Sequence, residues 1–103
     1  MHYEVLKYDV VDFEVERVIL YYESLSYDIG IKFEKQVEKA LDKLETSPAY
    51  YLMLDDKKHR RIVIEGFPYA FIYCIEDNLV IVKVLFPQKE DPAKLWIQLA
   101  YLK

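Results

Sequence analysis

The chain has little of what punctuates or staples a small protein: two glycines, four prolines and a single cysteine in 103 residues. With Cys74 alone no disulfide framework can form, so the core must come from packing and the expected setting is reduced and cytoplasmic. The longest apolar run, Phe67 to Ile75, falls far short of the ~20 residues a membrane span needs, and no basic-then-apolar segment opens the chain. A soluble protein is expected. No metal-ligand spacing, glycine-rich phosphate loop or nucleophile elbow occurs, so neither metal nor cofactor is expected. His2 is terminal and His59 has no acid and nucleophile around it in a recognisable spacing, which makes both surface histidines on this reading.

Positive charge is also in deficit. Fourteen basic against eighteen acidic residues give a net charge of -4, which opposes non-specific attraction to nucleic acid and confines any such contact to a local patch. Apolar residues make up 53% of the chain and ten are tyrosine, which excludes disorder. A domain of this length hides only ~60 to 65% of its unfolded surface. Some aromatic surface should therefore remain exposed for a partner to cover.

The stretch from Arg60 to Trp96 organises the rest. Three apolar, β-branched and aromatic runs, Ile62 to Ile64, Tyr69 to Ile75 and Leu79 to Phe86, read as consecutive strands of an antiparallel meander. Gly66, Phe67 and Pro68 supply the first turn, where glycine can take positive φ, and Asp77-Asn78 suits the two-residue second turn.

Upstream, Tyr3 to Tyr8 suggests a short strand. Asp9 is a candidate cap for a first helix whose Val11, Val15, Val18, Ile19, Tyr22 and Leu25 form one apolar face, leaving Asp12, Glu16, Arg17, Glu23 and Ser24 to solvent. A linker of Ser26 to Asp28 forces an antiparallel helical hairpin, with Asp28 as the second cap. The second helix carries Ile29, Phe33, Val37, Ala40, Leu41 and Leu44 and stops at Ser47-Pro48. Its Glu34, Glu38, Asp42 row lies beside a Lys35, Lys39, Lys43 row and cancels the field of the lysines, so the polar side reads as a solvated face. The run from Ala49 to Leu54 fits either an edge strand or an apolar loop. Pro92 to Tyr101 reads as a last helix with Leu95, Leu99 and Leu102 on its apolar side beside Trp96.

The expected architecture is α+β. An N-terminal strand and helical hairpin pack on an antiparallel three- to four-stranded meander, followed by a short C-terminal helix, all in one domain over residues 1–103.

The only dense basic cluster is Lys57-Lys58-His59-Arg60-Arg61. Strand alternation puts Arg60 with Ile62 and Ile64 on one face and Arg61 with Val63 and Glu65 on the other, so the two arginines cannot act together. Lys58, Arg60, Arg61 and Lys89 are the candidate target-binding cations; alternatively the arginines pair with Asp55, Asp56 or Glu65. As exposed groups, their loss should affect binding before folding.

An arginine-led strand, then FPYAFIY, a short acidic turn, a Val/Ile strand and a DP-x-x-x-W tail resemble the RelE/ParE toxin superfamily of bacterial toxin-antitoxin pairs, its plasmid stabilisation branch in particular. The resemblance spans nearly the whole chain and implies a cognate antitoxin protein as partner, gyrase or the ribosome as target, and room for a homodimer. In the ribonuclease branch, lysine and arginine side chains and a tail tyrosine stabilise charge on the scissile phosphate. Here Arg61 falls on one such position, but Ala70, Glu90 and Trp96 occupy the strand arginine, tail arginine and tail tyrosine positions. Phe86-Pro87 stands where related toxins often carry a histidine. The resemblance thus implies a ParE-like toxin acting by protein binding, with a ribosome-dependent endoribonuclease or a non-toxic interaction domain as the alternatives.

Overall fold

The computed structural model describes residues 2–102. Its elements run β1 (Glu4–Lys7), α1 (Asp9–Leu25), α2 (Tyr27–Thr46), a 3₁₀ turn (Pro48–Tyr50), β2 (Arg60–Val63), β3 (Tyr69–Glu76), β4 (Leu79–Pro87) and α3 (Pro92–Tyr101). The four strands form one sheet in the order β1-β4-β3-β2. The last three make the expected antiparallel meander, whereas β1 pairs parallel with β4, from Glu4 opposite Leu79 to Lys7 opposite Val82. The sheet is mixed because the chain spends the whole α1–α2 hairpin between β1 and the meander and re-enters beside its starting strand in the same direction.

Turn chemistry fixes the meander locally. Gly66 has φ 85°, a conformation in which any Cβ would be strained. Asp77 takes φ 55° in the two-residue turn that sets Glu76 opposite Leu79. Between Ile72 and Tyr73 the register slips: Ile72 pairs with Val84 and Tyr73 with Val82, so Lys83 is the extra residue of a bulge.

The sheet is covered on both faces, by the helical hairpin on one and by the C-terminal helix on the other. On the near face Val11, Val18, Phe33, Val37, Ala40 and Leu44 of the hairpin pack against Ile62, Phe71, Tyr73, Val80, Val82 and Leu85. Tyr22, Phe33, Phe67 and Tyr69 join this core as tilted and edge-to-face rings with centroids 5.0–5.9 Å apart. On the far face Leu95 and Leu99 of α3 pack on Ile72, Val84 and Phe86. The C-terminal helix is thus a docked element, capped at its start by Asp91, whose carboxylate accepts from the Ala93 N–H at 3.0 Å.

The helix boundaries correct two expected caps. Tyr8 and Ser26 occupy the cap positions, and neither makes a side-chain capping bond. Asp9 sits one residue inside its cap and Asp28 two, both in the first turn, where a negative charge is stabilised by the positive end of the helix dipole. The hairpin linker shrinks to Ser26, extended at φ -166° and ψ 132°, which ends α1 and begins α2. Such a tight connection needs close helices, and it has them: a Cβ at Gly30 would meet the Glu23 Cγ at 2.4 Å. The charged rows of α2 are exposed, as expected of a solvated face. No helix among the described residues is long and apolar enough to cross a membrane.

Candidate functional site

The far face of the sheet is only partly covered by α3, and the uncovered part is a groove. Its floor is Ala70 and Ile72 of β3 and Phe86 of β4, and one wall is Leu52 to Asp55. Gln88, Glu90, Pro92, Leu95 and Trp96 form the other wall, and Arg61 of β2 stands over it. The cavity measures about 270 Å³. The run Ala49 to Leu54, which the sequence left between strand and loop, is a 3₁₀ turn followed by an isolated antiparallel bridge of Met53 to Arg60. It flanks β2 through bonds from Arg61 N to Leu52 O at 3.1 Å and from Leu54 N to His59 O at 2.7 Å.

The four positions singled out by resemblance, Arg61, Ala70, Glu90 and Trp96, all line this one groove. Their convergence follows from strand parity, which turns Arg61 and Ala70 to the far face, and from the turn after β4, which folds α3 back across it. The groove holds one cation, Arg61, and two acids, Asp55 and Glu90. Glu90 is bonded to Lys94 at 2.9 Å, and this hydrogen bond raises the Lys94 pKa.

The candidate cations separate. Lys89 lies between two groove residues, Gln88 and Glu90, and is exposed. Lys58 is exposed on the loop before β2, with its backbone N–H held by Asp56 Oδ1 at 3.0 Å. Arg60 points to the opposite face, where its guanidinium donates to the carbonyls of Ala49 at 3.2 Å and Tyr51 at 2.8 Å. There it clamps the 3₁₀ turn, helped by Tyr73, whose hydroxyl donates to Pro48 O at 2.5 Å. Neither arginine forms an ion pair with Asp55, Asp56 or Glu65 among the described residues.

His59 corrects the sequence reading outright, being 6% exposed rather than a surface residue. Its Nδ1 lies 2.6 Å from Asp56 Oδ2 and its Nε2 3.1 Å from Lys83 Nζ. An ammonium can only donate, so Nε2 accepts from Lys83 and the Nδ1–H donates to Asp56. Burial works against the Asp56 carboxylate, but hydrogen bonds from the His59 ring, His59 N–H and Lys58 N–H outweigh it and hold its pKa at about 2. Beneath this chain of groups lies buried Cys74, whose thiol pKa is raised by burial. With both ring nitrogens engaged and none of these side chains among the groove residues, the trio ties the Asp55–His59 loop to the β4 bulge rather than presenting a base to a substrate. Two sequence signals pointed to it: an aspartate three residues before the histidine, and a single lysine interrupting the apolar run LVIVKVLF.

No protein-family model matches the sequence, and no curated protein matches it. Among solved structures, the fold of the chain does have matches. One of them is a chain of a structure described as the chromosomal ParDE TA system from P. aeruginosa, with a TM-score of 0.72, 8% identity, and coverage of 84% of this chain and 96% of that chain. At such identity the likeness is one of fold.

Proposed function

We propose that this protein is the toxin-like component of a bacterial toxin-antitoxin pair, cytoplasmic, held by a cognate antitoxin, and acting by binding a protein target rather than by cutting RNA. The observation that carries this reading is the charge of the groove: one cation, Arg61, faces Asp55 and Glu90 where phosphate chemistry needs several cations. The Glu90 carboxylate, paired with Lys94, offers a phosphate no positive charge of its own. A groove with apolar walls, a tryptophan edge and one arginine suits an apolar anchor of a protein partner, with Arg61 bonding a carbonyl or carboxylate beside it. The exposed Lys58 and Lys89 extend that contact.

Co-expression with the product of the adjacent reading frame tests the antitoxin arm: a copurifying complex is expected, and a chain that ignores that neighbour counts against it. Induction without the neighbour should arrest growth, and unhindered growth favours an inert interaction domain. Primer extension on cellular mRNA during arrest should show no codon-phased cuts. Such cuts would establish the endoribonuclease reading instead.

A further inference from the structure

The outward side of α1 does not have the polar character its sequence suggests. Phe13, Leu20 and Tyr21 are 75%, 55% and 56% exposed. Helical spacing sets Phe13 and Leu20 one heptad apart on the ridge opposite buried Val11 and Val18, with Tyr21 on its flank. At these exposures the three side chains present roughly 300–400 Å² of apolar surface, within the range of the largest patch on a typical monomeric protein, where such patches are often functional. None of them lines the groove over Arg61.

Charge narrows what can cover this ridge. Helix α1 carries Asp9, Asp12, Glu14, Glu16 and Glu23 against Arg17 alone, so it holds five negative and one positive charge, a net of -4 that equals the net of the entire chain. Asp9, Glu16 and Glu23 recur at heptad spacing and run along one flank of the ridge. Asp9 and Glu16 are exposed, and among the described residues no ion pair involves Asp9, Glu16 or Glu23. A second copy packed antiparallel on the same face would bring like flanks together, and an anionic membrane surface would be repelled.

We propose that the outer face of α1 is a docking surface for a cationic amphipathic helix of a partner protein, whose apolar stripe lies on Phe13 and Leu20 and whose lysines or arginines meet Asp9, Glu16 and Glu23. This site is separate from the groove over Arg61 and does not depend on the reading of the chain as a toxin.

The test uses the full chain and two synthetic helical peptides of one apolar pattern, one with lysine and one with glutamate at every polar position, read by fluorescence anisotropy. The Leu/Lys peptide should bind and weaken steeply with added salt, and the Leu/Glu peptide should bind at least tenfold more weakly. Phe13→Ser with Leu20→Ser should reduce Leu/Lys binding at least tenfold with an unchanged circular dichroism spectrum, Glu16→Lys should reduce it several-fold, and Arg61→Ala should leave it unchanged. Equal binding of both peptides, no binding of the Leu/Lys peptide, or binding indifferent to the α1 substitutions overturns the proposal. So does concentration-dependent dimerisation of the chain alone in sedimentation velocity that Leu20→Ser abolishes, since a second copy would then be the occupant.

Discussion

Arg60 and Arg61 are neighbours in sequence with different surroundings, because a strand sends successive side chains to opposite faces. Arg60 is half-buried and satisfies two carbonyls of the turn that precedes its own strand. Removing it leaves those carbonyls unpaired, so Arg60→Ala should lower stability by about 1–3 kcal/mol in urea denaturation. Arg61 is exposed over the groove, and Arg61→Ala should change stability by less than about 0.5 kcal/mol while abolishing growth arrest. The two must be measured singly. A double substitution would mix a folding defect with a binding defect, contrary to the expectation that both arginines are exposed. If Arg61→Ala retains full toxicity, the groove is not the target site.

The elements are set by how closely they approach. Helices joined through Ser26 alone stay close at that end, where Gly30 of α2 faces Glu23 of α1 with no room for a Cβ. Gly30→Val must displace the Glu23 side chain and press on its backbone N–H, which a Cβ would approach to 3.3 Å. A loss of about 1–3 kcal/mol is expected by thermal or urea unfolding. Helix α3 is anchored on the far face by two buried leucines, so Leu99→Ala should cost about 2–5 kcal/mol and raise exposure of Trp96 in its fluorescence. An unchanged midpoint would mean that α3 contributes little to the fold.

For the molecule as a whole, two carboxylates pull the pH dependence in opposite directions. Asp56 is held at about 2 against an ordinary 3.8, so its contribution is present above pH 4 and is lost as pH falls toward 2. Asp56→Asn should show a stability deficit at neutral pH that closes in acid, a deficit that solvent screening of this exposed carboxylate keeps small. Glu14 has the reverse sign. Burial raises its pKa above 4.5 despite a bond to its Oε1 from Leu85 N–H at 3.1 Å and the nearby Arg17. Stability from its protonated form is therefore full below the ordinary value and declines as pH rises through the raised one. Glu14→Gln keeps an acceptor for Leu85 without the buried charge, so it should be more stable than the parent at pH 8 and indistinguishable from it at pH 3.

By itself the sequence determined whatever depends on local conformation and periodicity: the meander, with Gly66 and Asp77 at positive φ, the hairpin forced by a minimal linker, and α3 from Pro92 to Tyr101. It also assigned Arg61, Ala70, Glu90 and Trp96 as positions to compare, through a resemblance confined to pattern. Only the tertiary structure decided that these four share one groove, since their neighbourhood depends on which face α3 folds back upon. The parallel pairing of β1 with β4, the burial of His59 between Asp56 and Lys83, and the exposed apolar ridge of α1 were hidden for the same reason. Each is a contact, or a missing contact, between segments far apart in the chain, and no local rule about helices, strands or charge spacing specifies which segments meet.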